Sequence, residues 1–183
     1  GNDTHVVIVA RTPRPNIDSG TMWCTRAWWT MFHFGVHCSI LEGGVEKWEA
    51  EQRAMSVEAT SVSPGSFTVN ADFSGGIASK EDVLATINDA DLCLIDNLTA
   101  GSFEGSEQGY GPRNGHIKGA INVPFRSLIT DETANFVDLE SAREQFGEAL
   151  NKPKIVTYCG GAIAATVGAF TLLRLGHKNV SVY

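Results

Sequence analysis

Charge is scarce in this chain, and positive charge scarcer still. Only 19% of the 183 residues are Asp, Glu, Lys or Arg, and 14 cations stand against 21 acidic groups for a formal net charge of −7. Nucleic acid and anionic membrane surfaces are recognised by basic faces, so this balance argues against both as partners. Cysteine is equally sparse. The four at positions 24, 38, 93 and 159 form no Cys-x-x-Cys pair, which removes the usual zinc spacing and a disulfide framework and fits a reducing compartment. Long apolar runs are missing too; none approaches the ~20 residues of a membrane-spanning helix. Gly1 to Thr4 lack signal-peptide features. The expected location is the cytoplasm, or the mitochondrion if a targeting segment precedes Gly1. What remains is a globular composition, 43% hydrophobic, long enough for one large domain or one and a half smaller ones.

One cysteine stands apart from the others. Ile155 to Ala165 reads Ile-Val-Thr-Tyr-Cys-Gly-Gly-Ala-Ile-Ala-Ala, a β-type run that ends at Cys159 and passes through two glycines into a helix. A loop closing at a helix N-terminus leaves main-chain N–H groups unpaired at the positive end of the dipole, so an anion formed there is stabilised. Thiolate is the reactive form of cysteine, and Gly160 and Gly161 let consecutive amides turn inward with no Cβ in the way. Cys159 is therefore the candidate nucleophile; the competing reading is a buried structural thiol before an ordinary turn. Cys38 and Cys93 lie in strand-like runs and read as small core residues, while Cys24 opens an aromatic helix. No glycine loop follows any of these three.

Periodicity predicts strands at His5–Ala10 (fully buried), Cys38–Leu41, Leu92–Ile95 ending at Asp96, Ile155–Tyr158 and Val180–Tyr183. Helices are expected at Thr21–Phe34, Gly43–Glu51, Leu139–Leu150 and Ala165–Leu175, with another capped by Ser79 and carrying Glu81 and Asp82 in its first turn. Residues 52–78 dissolve into Ser, Thr, Gly and Pro and read as a connector. Strands alternating with helices predict an α/β fold with a parallel sheet covered on both faces. Aligning Gly35 with Gly176 lays Val7-Ile8-Val9-Ala10 on Ile155-Val156-Thr157-Tyr158. The chain thus holds two copies of one unit, with Arg11 at the position of Cys159 and a longer loop containing Arg14. Trp23, Trp28 and Trp29 are expected to pack the core and the junction of the two halves.

Four motifs now resemble the two-domain rhodaneses, the thiosulfate and mercaptopyruvate sulfurtransferases, over nearly the whole chain: Leu-Ile-Asp at 94–96, Gly-His-Ile-Lys-Gly-Ala-Ile-Asn-Val-Pro at 115–124, the cysteine loop, and Leu-Glu-Gly-Gly-Val-Glu-Lys-Trp at 41–48. The resemblance implies two rhodanese-like domains, each a parallel sheet flanked by helices, the first truncated at its start and the second at its end. Residues 1–51 would be the C-terminal part of a non-catalytic domain, 52–78 a linker, and 79–183 the catalytic domain. It further implies that Cys159 takes a sulfane sulfur as a persulfide, cradled by the backbone of Gly160, Gly161, Ala162, Ile163 and Ala164. The sulfur would pass from a small-molecule donor to a thiol or cyanide, a protein thiol included, with no metal or organic cofactor.

Departures from the family pattern bear on the donor. Glycines follow Cys159 where thiosulfate enzymes carry basic residues, and Ala162 replaces a usual loop glycine, so a left-handed backbone there would be strained by on the order of 1 kcal/mol. The stretch after Asp96 reads Asn-Leu-Thr-Ala-Gly-Ser, placing Ser102 where a donor-binding arginine is expected. Arg113 is the nearest substitute and Arg126 a weaker one. Asp96 reads equally as a loop-capping carboxylate or an orienter of the site, Arg113 equally as a donor-binding cation or a solvated charge, and His116 as a turn-fixing group rather than a base. Two other functions compete. A cysteine phosphatase or arsenate reductase needs an arginine six residues after its nucleophile, where this chain has Ala165. A non-catalytic protein-binding module would account for the missing arginines but not for the cysteine loop.

Overall fold

The computed structural model describes residues 1–12, 19–69, 76–87, 89–109, 111–130 and 134–183. In chain order the elements are β1 Val6–Ile8, α1 Gly20–His33, β2 Cys38–Ile40, α2 Gly44–Ala50, α3 Lys80–Thr86, β3 Leu92–Asp96, α4 Ala100–Glu104, β4 Ile121–Asn122, α5 Leu139–Phe146, β5 Lys154–Tyr158, α6 Ala164–Arg174 and β6 Val180–Val182. Short 3-10 turns at Phe125–Leu128 and Gly147–Asn151 complete them. All described strand pairs are parallel, in one sheet of order β4-β3-β5-β6 and a second of β1-β2.

β3 and β5 form the buried centre of the larger sheet, and alternation sends successive side chains to opposite faces. Ile95, Ile155, Val180 and Val182 join a core built with Phe146 of α5 and Val167 and Leu172 of α6. Leu94, Val156 and Tyr158 face the other way, onto Val83 of α3, with Phe103 of α4 at the margin. Ser79 and Asp82 close a reciprocal capping box on α3. The helix expected at 139–150 divides at Gly147, whose φ of +48° ends α5.

The internal repeat is visible as two parallel β-α-β units, β1-α1-β2 and β5-α6-β6, whose helices pack on each other. Trp28 meets Phe170 edge-on at 4.8 Å, and the buried hydroxyls of Thr25 and Thr166 lie 2.9 Å apart. Met22, Trp28 and Trp29 consequently share one continuous core with Ile95 and Ile155. Trp23 departs from expectation and is 36% exposed; at 100° per residue it lies about 140° around the helix from Trp28, so one face cannot hold both. The predicted full burial of the first strand also fails. Val7 and Val9 are 57% and 48% exposed, because α1 covers the face of the two-stranded sheet that carries Ile8, Cys38 and Ile40 and alternation turns Val7 and Val9 away from it. The connector carries no helix or strand through residue 69 and ends by joining the larger sheet, where Ile77 bridges Val182.

Candidate active site

The chain leaves β3 toward β4 on one side and leaves β5 toward β6 on the other, so the C-terminal ends of these two adjacent strands form the topological switch point of the sheet. Open α/β sheets bind ligands in that crevice. Cys159 follows β5 directly and is half-buried, with Gly160 and Gly161 exposed after it and Ala164 buried at the start of α6. Ala162 has φ +57°, and Ile163 next to it has φ −90° and ψ −60°. A left-handed residue followed by a right-handed one makes a nest, a concave run of main-chain N–H groups that binds anions. The N–H groups of Gly160 to Ile163 have no acceptor among the described residues. The left-handed backbone expected at Ala162 is thus present.

The rim of the loop is braced from several elements. Thr157 Oγ1 donates to the Ala165 carbonyl at 3.0 Å and Thr166 Oγ1 to that of Ile163 at 2.7 Å. Arg26 of α1 donates to the Ala162 carbonyl at 3.5 Å. Below the loop, Asp96 is 1% exposed; its carboxylate accepts the Leu98 N–H at 2.8 Å and the Tyr158 hydroxyl, and Tyr158 in turn accepts the Ile117 N–H at 3.0 Å. Burial pushes the Asp96 carboxyl up, against these donors and the charge of His116. Burial first, and then the Asp96 charge, pushes the Tyr158 phenol up as well. Asn97, fully buried, donates to the Val123 carbonyl at 2.7 Å and lies against Gly168 of α6, where a Cβ would come within 2.6 Å of its Oδ1.

The remaining expected residues divide. Asp96 is buried, and its carboxylate caps the turn at Leu98. His116 donates from Nδ1 to the Phe103 carbonyl at 2.7 Å and stacks on the Phe103 ring, the turn-fixing reading. Ser102 stands in α4, its hydroxyl donating to Glu107 at 3.1 Å, and Thr99 donates to the same carboxylate at 2.6 Å. An anion therefore occupies the neighbourhood where a cation is expected. Arg113 is exposed, and Arg126 lies over the Phe125 ring. Arg11 is tied to Glu49 of α2 at 2.6 Å, while Arg14 lies outside the described residues. The other thiols are held neutral by burial, Cys24 up to about 11 and Cys38 and Cys93 upward. Two grooves of about 260 and 300 Å³ flank Trp48 and touch no residue of the cysteine loop. Among the described residues no cluster of three or more His, Cys, Asp or Glu is placed to hold a metal, and no helix is long and apolar enough to cross a membrane.

Sequence reasoning missed Arg26, Glu107 and Tyr158. Arg26 had a usable signal, being the sole Lys or Arg of α1.

The family model of the rhodanese-like domain matches residues 79–183, the segment from the α3 cap through β6. The chain belongs to the rhodanese-like domain family. Its α/β architecture of parallel sheets flanked by helices is the rhodanese-like fold. It is 30% identical over 186 residues to a thiosulfate sulfurtransferase of Gallus gallus, covering 100% of this chain and 62% of that protein. It is 32% identical to a 3-mercaptopyruvate sulfurtransferase of Mus musculus, covering 98% and 60%. The chain therefore spans about three-fifths of the length of these curated relatives. Among solved structures, the 3-mercaptopyruvate sulfotransferase of Escherichia coli superposes with a TM-score of 0.79 at 26% identity, covering 100% of this chain and 66% of that one. An anaerobic ergothioneine biosynthesis enzyme from Chlorobium limicola shares the rhodanese-like fold at a TM-score of 0.83 and 20% identity, covering 100% and 48%.

Proposed function

We propose that this chain is the sulfur-carrying part of a rhodanese-type sulfurtransferase. Cys159 takes a sulfane sulfur from a small-molecule donor and passes it to a thiol, a protein thiol included, or to cyanide. The observation that carries this reading is the half-buried cysteine at the switch point, followed by a nest of N–H groups that nothing in the described chain engages. The Cys159 thiolate attacks the donor's outer sulfur and a sulfur–sulfur bond forms. The donor's bond to that sulfur breaks and its electron pair leaves on sulfite from thiosulfate, or on the carbon of 3-mercaptopyruvate as the enolate of pyruvate, which solvent protonates. The terminal sulfur of the persulfide is then anionic, and the amides of residues 160–164 are its cradle. An acceptor thiolate or cyanide attacks that sulfur and returns the Cys159 thiolate.

Residues 1–51 form, in this reading, the closing part of a non-catalytic first domain, residues 52–78 the linker, and residues 79–183 the catalytic domain. Arg113 remains a candidate for the donor's charge, with Ser102 lining the approach and His116 and Asp96 fixing the turns around it. Because Ser102 and Thr99 gather the Glu107 carboxylate beside the crevice, 3-mercaptopyruvate or a persulfide is the favoured donor over dianionic thiosulfate. Phosphoryl or arsenate chemistry is disfavoured by Ala165, a buried methyl where those loops need a cation.

The test is incubation of purified protein with each donor, which should add the mass of one sulfur atom and release thiocyanate on addition of cyanide. No gain with any donor would favour a protein-binding use of the fold instead.

A further inference from the structure

The register of β3 against β5 pairs Asp96 with Tyr158, and the Asn97 N–H donates to the Tyr158 carbonyl at 2.9 Å, which carries the ladder one residue further. Asn97 is thereby the cross-strand neighbour of Cys159. Leu94, Val156 and Tyr158 face the α3 layer, so alternation turns Asn97 and Cys159 to the opposite one, where Asn97 lies against Gly168 and Cys159 packs on the core that α6 helps to build. The Asn97 amide is fully buried and its orientation is fixed, because the atom that donates to the Val123 carbonyl at 2.7 Å must be the nitrogen. Its Oδ1 has no donor among the described residues. A buried acceptor without a partner is costly, and the α6 backbone beside it is committed to its own helix. The Cys159 thiol, also without a hydrogen-bond partner among the described residues, carries an unused hydrogen on the same face. Adjacent strands run about 4.8 Å apart, a gap that rotation about the cysteine Cα–Cβ bond closes.

We propose that Asn97 Oδ1 is the acceptor for the Cys159 thiol hydrogen and so sets the form in which the nucleophile rests. That oxygen has no hydrogen to give. When the thiol ionises its proton goes to solvent, and the same oxygen then faces the negative sulfur and opposes its charge. The N–H groups of the loop, which cradle the outer sulfur, act in the contrary sense. Charge is thus disfavoured on Sγ and favoured one atom further out, which holds back ionisation of the resting thiol and draws the anion onto the loaded persulfide. The proposal rests on Cys159 being the sulfur carrier.

The test is the rate of iodoacetamide alkylation at Cys159 against pH, located by peptide mass mapping, in the wild type, Asn97→Ala and Asn97→Asp. Iodoacetamide reacts with the thiolate, so the midpoint of the profile reports ionisation. Asn97→Ala removes the acceptor, and its midpoint should fall, with alkylation about three- to tenfold faster on the acid side, the weight of one ordinary hydrogen bond. Asn97→Asp keeps an acceptor oxygen in the same place, and its midpoint should stay level or rise. The charged and titratable groups on the surrounding elements are the same in all three chains: Asp96 and Tyr158 on the opposite face with His116 beyond them, Glu107 held by Thr99 and Ser102, and Arg26 of α1 against Ala162, while α6 carries none before Arg174. Loosened packing alone would move both variants alike. If neither variant folds, the S–H stretching band of the wild type, taken as its infrared difference from Cys159→Ser, decides; it should lie below that of a free thiol. An unmoved midpoint in Asn97→Ala, an equal fall in Asn97→Asp, or a free-thiol band would each overturn the assignment. None of these readings uses a sulfur donor, so a wild type that loads no sulfur overturns the sulfurtransferase reading separately.

Discussion

Asp96 and Tyr158 are register partners at the C-terminal ends of β3 and β5, and the tyrosine hydroxyl donates to the carboxylate directly beneath the turn that carries Cys159. Burial raises the Asp96 carboxyl above its unfolded value, so its contribution to stability is fully present below the unfolded value and is lost as pH rises through the folded one. The window opens at the ordinary carboxylate value of about 3.9 and closes just above the raised one. Asp96→Asn should therefore gain stability relative to the wild type across that window, read as the difference in urea midpoint against pH. Tyr158→Phe should do the reverse, costing about 1–3 kcal/mol once Asp96 is ionised and short of a donor.

Cys159→Ser should gain no sulfur from any donor, while Cys24→Ser, Cys38→Ser and Cys93→Ser load normally. The three other thiols are raised by burial and none precedes a nest. Intact mass after donor treatment decides the matter, and loading of the Cys159→Ser chain would assign the chemistry elsewhere.

Glu107→Gln should improve the use of thiosulfate without a matching gain for an uncharged persulfide donor. The carboxylate is exposed, so the effect is modest, about two- to fivefold in kcat/KM at low salt, and it should fade as ionic strength rises. An unchanged ratio between the donors would remove Glu107 from the approach to the loop.

Gly168→Ala tests the packing behind the site. The helix gains up to ~1 kcal/mol in propensity, but the added Cβ meets the Asn97 amide at 2.6 Å, an overpacking that costs about 1–3 kcal/mol. A lower melting temperature is expected, recovered in part by Asn97→Ala in the same chain.

The central strands, the Ser79 cap, the repeat and the cysteine loop were legible because each is written in local pattern: apolar runs, a Ser-x-x-Asp box, glycines at a strand end. Even the left-handed backbone at Ala162 could be anticipated from the loop. The five residues of α4 and the two of β4 are too short to display a period. Arg26 and Glu107 escaped for a different reason. Their roles depend on where one helix docks against another and on which hydroxyls a turn gathers, and neither leaves a mark in neighbouring sequence. Apolar character alone does not say which face of an element has a neighbour, and Trp23 and Val7 lie on faces that have little covering them.

Thr68 is tied by two hydrogen bonds to the side chain of Asn2, and the Trp48 indole donates to the Ala54 carbonyl, so the exposed connector is anchored near both ends while its middle touches little. The halves it links already share Trp28 and Phe170 in one core. If residues 52–78 are the linker proposed above, they act as a tether and not a hinge. Doubling the length of such a loop costs only ~0.6 kcal/mol in closure entropy, so its span and composition are free to drift while the helix junction it leaves untouched keeps the two halves in fixed alignment.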